Sequence, residues 1–159
     1  MAEPTIANPG VRFPPPFLFA AGFLVGWLIH RRWPWPLLPV ELSGTGETIG
    51  LTSIVVAFGT VIWAFATFLR HRTAIYPNQP AARIVRDGPY RWTRNPMYLS
   101  MTLIYVGLAL VVNALLPLLL LPVVLVLLVR LVIRREERYL GSAFSEEYAA
   151  YCRDVRRWL

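Results

Sequence analysis

Apolar positions fall into four long runs, separated by breaks rich in arginine, proline and tryptophan. The first spans about Pro16 to Ile29, stops at His30-Arg31-Arg32 and is followed by the aromatic belt Trp33-Pro34-Trp35-Pro36. It is short for a crossing, and Phe13 would lengthen it at its start. A second runs from about Glu47 to Leu69, with Thr45 and Gly46 ahead of it and Arg70-His71-Arg72 behind. The third begins near Pro96 and reaches about Val112; Asn113 and Pro117 mark a tight turn, and the fourth covers about Leu116 to Ile133. A hydrocarbon core needs about 20 apolar residues per helix, so the pattern predicts an all-α integral membrane protein with about four spans. The third and fourth spans form a helical hairpin with almost no loop. Pro122 either kinks the last helix or sits in its first turns.

The polar positions between the second and third runs form a designed-looking junction. Gly88-Pro89 signals a turn, because glycine admits positive φ and proline restricts the residue before it. Pro96 suits a first helical turn, which makes Asn95 the natural N-cap and Met97 onward a helix start. Such a helix end suits an anion or a polar cofactor; it equally suits a plain membrane helix whose arginines sit among headgroups. Beyond the fourth run comes Arg134-Arg135-Glu136-Glu137-Arg138-Tyr139-Leu140. Phe144, Tyr148, Tyr151 and Val155 then recur at helical spacing, with Ser145 and Glu146-Glu147 at a helix start, predicting an amphipathic C-terminal helix at the membrane surface. At the C-terminal end of a membrane helix the dipole disfavours Glu136 and Glu137, so a cation must offset them, either neighbouring arginines or a bound positive group.

Composition supports the membrane reading: 56% of the 159 residues are hydrophobic and the mean hydropathy is +0.49, in keeping with a single membrane domain. Met1 to Gly10 lacks a secretory pattern, so the first run is expected to stay in the mature protein. Charge sets the orientation. Arg70, Arg72, Arg83, Arg86, Arg91 and Arg94 face a single acid, Asp87, and the tail adds Arg134, Arg135, Arg138, Arg153, Arg156 and Arg157; both regions are expected on the cytoplasmic side, with Arg31-Arg32 a mild exception. The net charge of +7 flanks hydrophobic spans without any nucleic-acid motif, which points to headgroups and an anionic cofactor rather than nucleic acid. All 16 basic residues are arginine, excluding lysine chemistry. The lone Cys152 forms no framework and reads as an inert, half-buried residue; His30 and His71 make no metal set; Gly44-Thr45-Gly46 is no dinucleotide fingerprint.

Taken together, Ile84-Val85-Arg86-Asp87-Gly88-Pro89-Tyr90, Arg94-Asn95-Pro96-Met97-Tyr98-Leu99, the hairpin, and Glu136-Glu137-x-x-Leu140 with Phe144, Glu147, Tyr148 and Tyr151 resemble the isoprenylcysteine carboxyl methyltransferase and phospholipid methyltransferase family of membrane enzymes. The resemblance covers about residues 65 to 159, the expected cofactor-binding core, with residues 1 to 64 a variable pair of spans. It implies S-adenosylmethionine bound on the cytosolic side, with Arg83, Ile84, Val85, Tyr90, Asn95, Pro96, Met97, Tyr98 and Glu136 as cofactor contacts. It also implies a lipidic or hydrophobic methyl acceptor, a catalytic set of Glu137, Tyr98 and Arg94, and a place in the bacterial plasma membrane with the site facing the cytoplasm. Two positions depart from the family pattern: Asn95 replaces the usual histidine, which removes any base at that position, and Ser100 replaces a glycine where the third and fourth helices would pack closely. Membrane sterol and enone reductases, which bind NADPH, share an Arg-x-x-x-Tyr pattern here, and a catalytically silent membrane adaptor is the third reading.

Overall fold

The computed structural model describes residues 10–11, 14–71 and 83–159; Phe13, Arg72 and the first nine residues lie outside that set. The described residues are mostly helical, with one isolated bridge between Pro36 and Ala114. Helix α1 is Pro15–Arg32, α2 is Val40–Arg70, α3 is Pro96–Val111, α4 is Leu115–Leu128 and α5 is Arg134–Asp154; a 3₁₀ turn, Gly88–Arg91, precedes α3. Among the described residues, α2 and the helical stretch from Leu115 to Asp154 are long and apolar enough to cross a membrane. α3, with 16 residues, is a shorter apolar helix.

Two boundaries differ from the sequence pattern. α2 starts at Val40 rather than near Glu47, because Pro39 sets the extended entry and Glu41 lies in the first turn, where the dipole favours it. Its 31 residues make a helix about 46 Å long at ~1.5 Å per residue. The fourth run does not end at Ile133. It passes through a wide π turn, Val129–Ile133, in which the Arg134 N–H reaches Val129 O, and continues as α5. The chain breaks at Phe144 and Ser145, whose angles are non-helical, so α5 is two helical segments and the second begins beside Ser145, where the spacing put a helix start. Pro122 lies in the interior of α4, not in its first turn.

Pairing is the main thing that the hydropathy pattern leaves open. α3 packs along α2, and α4 along α1, while the two arms of the hairpin barely touch. Glycines set both close approaches. A Cβ at Gly50 would sit 2.6 Å from Gly107 O, and one at Gly107 would sit 2.7 Å from Gly50 O, so the two backbones meet directly. On the other pair, a Cβ at Gly26 would lie 2.7 Å from Pro117 Cα. Ser100 is buried, and its hydroxyl donates to Pro96 O, one turn back, at 2.9 Å. α3 and α4 are linked where the Tyr105 hydroxyl donates to Pro117 O at 2.8 Å, and through the cluster of Phe19, Tyr98, Val124, Leu128 and Val132.

At one end the α1–α2 and α3–α4 connections are tied together. Asn113 takes a left-handed conformation, φ 49°, as asparagine tolerates. Its side-chain oxygen accepts from Leu37 N at 3.1 Å and Leu38 N at 2.8 Å, and its amide donates to Leu38 O at 3.0 Å. At the other end the 3₁₀ turn, the start of α3, α5 and the last residues meet, and this is where the polar chemistry gathers.

Candidate functional site

The centre of that polar end is a strap. After α5 stops at Asp154, residues 155–159 run back across the start of α3. The Arg94 N–H donates to Arg156 O at 3.0 Å. The Thr93 hydroxyl and the Asn95 side-chain amide both donate to Arg157 O, at 3.1 and 2.9 Å. Asn95 is thus at the N-cap position, but its side chain makes no cap; the predicted capping bond is spent on the strap instead. The Asn95 backbone N–H is taken by Thr93 Oγ1 at 3.2 Å.

Glu136 and Glu137 are adjacent in sequence and have opposite environments. Glu137 grips Arg157 with both oxygens, at 2.9 and 2.7 Å, and lies 3.5 Å from Arg94 Nη1. That bidentate bond raises the Arg157 guanidinium above its ordinary range. Glu136 has no ion pair among the described residues. Its Oε1 accepts from the Tyr98 hydroxyl at 2.6 Å. Burial pushes Glu136 up to about 7; the Tyr98 hydrogen bond opposes that shift and the neighbouring Glu137 adds to it. The cause is burial and not a helix dipole, since the rod runs through this point without an end.

Arg94 supplies the matching donor. Its Nη1 reaches Cys152 Sγ at 2.7 Å and Tyr148 Oη at 3.5 Å, so Cys152 is half-buried, as expected, but engaged. Arg94 Nε is buried and has no partner among the described residues. One side of the site therefore carries a carboxylate without a cation, and another a guanidinium N–H without an acceptor. A buried N–H without a partner, as at Arg94 Nε, is rare.

Aromatic residues wall the site. Tyr90 stacks on Phe68 at 4.7 Å with an interplanar angle of 9°, and its backbone oxygen accepts from Tyr151 Oη at 2.7 Å. Burial, then the proximity of Tyr151 and of Glu136, holds the Tyr90 phenol above its ordinary range, so it remains neutral. Arg86 lies over the Tyr151 ring at 5.6 Å and donates to Glu147 O. Among the predicted cofactor contacts, Tyr90, Val85 and Met97 share one cluster with Ala64 and Phe68. Ile84 belongs to the neighbouring cluster of Tyr148, Tyr151 and Val155. Pro96 is fully buried, and Arg83 is exposed. Of the three predicted catalytic residues, Tyr98 bonds to Glu136, while Glu137 and Arg94 hold one another and the strap. Arg157, Thr93 and Phe68 were not legible as site residues: Arg157 reads as one more tail cation, and the strap that carries it has no periodicity.

A sequence model of the phospholipid methyltransferase family matches residues 46–147. The chain belongs to the phospholipid methyltransferase family. The match takes in α2 from residue 46 onward, most of which the motifs left outside the core at residues 65 to 159, and everything from the 3₁₀ turn to the early part of α5 beyond its break. No curated protein and no solved structure matches the chain. Membership makes this a membrane-associated member of a methyltransferase family. No group of three or more metal-ligating side chains exists among the described residues.

Proposed function

We propose that this phospholipid methyltransferase family member transfers a methyl group from S-adenosylmethionine to a lipidic acceptor at the cytoplasmic face. The observation that carries this reading is the pairing of Glu136, part-buried and without a cation among the described residues, with Arg94 Nε, buried and without a hydrogen-bond partner among them. When bound, the cofactor supplies an electrophilic methyl on a sulfonium, together with an ammonium and a carboxylate. Glu136 suits the positive groups, Arg94 the carboxylate, and Tyr90 with Phe68 a flat apolar wall. NADPH brings phosphates and no cation, so Glu136 would repel it; this, with the family match, favours the methyltransferase over the reductase.

The chain's own residues then have distinct tasks. Tyr98 aims the Glu136 carboxylate by their 2.6 Å bond. The strap excludes water, and orientation in a dry cleft is worth as much as ~7 to 11 kcal/mol of barrier. An acceptor carboxylate needs no base. An acceptor amine must lose a proton; Glu137 is committed to two arginines, whereas Tyr98 Oη can take the proton as it passes its own to Glu136. Arg94 and Glu137 act by positioning.

Two measurements test this reading. In detergent, S-adenosylhomocysteine should raise the melting temperature of the purified protein and NADPH should not; the reverse result would return the reductase. Incubation with methyl-labelled S-adenosylmethionine and membrane lipids, followed by mass spectrometry of the extract, should place label in a lipid. Stabilisation without any labelled lipid would rule out a lipidic acceptor.

A further inference from the structure

Away from the strap's contacts with α3, the outer face of the long rod carries a groove of about 330 Å³ lined by Leu125, Val126, Val129, Arg130, Arg134 and Trp158. Arg130 is the one charge within the apolar run Leu115–Ile133. A cation buried at the centre of a span costs about 2.5 to 3.5 kcal/mol even on the more lenient scales, and less near an end where the side chain can snorkel. The π turn gives it a purpose. Four residues advance roughly one full turn in either helix type, so Arg130 and Arg134 lie on one face, one turn apart, on either side of the widened backbone. Both are exposed, and neither guanidinium has an ion pair among the described residues. Elsewhere in this end of the molecule Arg94 and Arg157 hold Glu137, and Arg86 lies over Tyr151. Arg130 and Arg134 are thus a free cationic pair above an apolar trough, closed on one side by a tryptophan from the C-terminal strap.

We propose that this groove seats one anionic phospholipid of the surrounding leaflet, its phosphate held between Arg130 and Arg134 and an acyl chain lying along Leu125, Val126 and Val129 against Trp158. Charge complementarity selects the occupant. A second copy of the chain would have to offer an acid at span depth, and the apolar runs have none to offer beyond Glu47 in α2. A free phosphate would leave the trough unfilled. Basic pockets beside membrane helices recognise such headgroups because two guanidinium groups match phosphate geometry and water is scarce around them. The seat is independent of the methyl-transfer reading: its occupant need not be methylated.

The test is native mass spectrometry of the full chain in neutral detergent, titrated with phosphatidylglycerol or phosphatidylcholine. One phosphatidylglycerol should bind, preferred over phosphatidylcholine by roughly tenfold or more. Arg130→Gln with Arg134→Gln should abolish that preference. Val126→Trp, which fills the trough at a position facing the lipid and leaves both arginines, should abolish the binding itself. The charge-matched pair Arg138→Gln with Arg153→Gln should change affinity by less than about twofold. Melting curves of each variant without lipid report folding separately. Equal binding of the two lipids, equal loss in both double variants, or displacement by millimolar inorganic phosphate would each overturn the proposal.

Discussion

The Tyr98 hydroxyl donates to Glu136 Oε1 at 2.6 Å across 38 residues of sequence, fastening the first turn of α3 to the start of α5. The bond joins the two regions richest in chemistry, and it leaves Glu136 oriented but without a cation. Its consequences are testable through pH.

Glu136 has a folded value of about 7 against an ordinary value of 4.5. An acid raised in the folded state binds its proton more tightly when folded, so its stabilising contribution is complete below about pH 4.5 and is lost as pH rises through about 7. Stability in detergent should fall across that window, and Glu136→Gln should flatten the fall. Binding of a sulfonium favours the ionised form, so S-adenosylhomocysteine, which lacks that charge, should show a weaker pH dependence than S-adenosylmethionine. For the latter, affinity should rise by up to about tenfold per pH unit below 7. Calorimetry should find Glu136→Gln weakened by ~1.5 to 3 kcal/mol and Glu147→Gln, on an exposed stretch, unchanged. Equal affinities would remove Glu136 from the site.

Asn95 donates from its side chain to Arg157 O, so the substitution that suits a helix cap is the wrong one here. Asn95→Asp would set a carboxylate oxygen against a carbonyl in a buried place. We expect a loss of ~1 to 3 kcal/mol, with Asn95→Ala milder, and faster hydrogen exchange in residues 155–159 for both. An unperturbed Asn95→Asp would restore the capping role.

Glu137 and Arg157 form the strap's ion pair, in which 38% of the arginine side chain and 19% of the glutamate side chain remain accessible. A double-mutant cycle of Glu137→Gln and Arg157→Gln should give a coupling energy of about 1 kcal/mol, the exposed arginine limiting it. Turnover should fall further than stability, because the strap closes the site. A cycle with no coupling would mean that Thr93 and Asn95 hold the strap alone.

Gly50 and Gly107 offer a clean contrast with Gly59. Gly50→Ala forces a Cβ against a backbone oxygen that cannot rotate away, and should cost about 1 to 3 kcal/mol in thermal denaturation. Gly59 has nothing within 4 Å, so Gly59→Ala should be neutral or stabilising by up to about 1 kcal/mol. Similar effects at both positions would contradict the α2–α3 contact.

The sequence by itself determined the helical class, the positions of the apolar runs, the turn at Asn113 and the membership signalled by Arg94-Asn95-Pro96 and Glu136-Glu137. Each is local: hydropathy, proline and glycine act on their own neighbours, and a motif is a fixed spacing. Only the tertiary structure decided that α3 lies on α2 and α4 on α1, because a glycine becomes a contact only when another backbone arrives, as Gly50 and Gly107 show. It alone separated Glu136 from Glu137, which are chemically identical and adjacent. One turns toward Arg157 in a strap with no periodicity to announce it, the other toward Tyr98 in the interior, and the difference between a satisfied carboxylate and a waiting one follows from which neighbour the fold delivers.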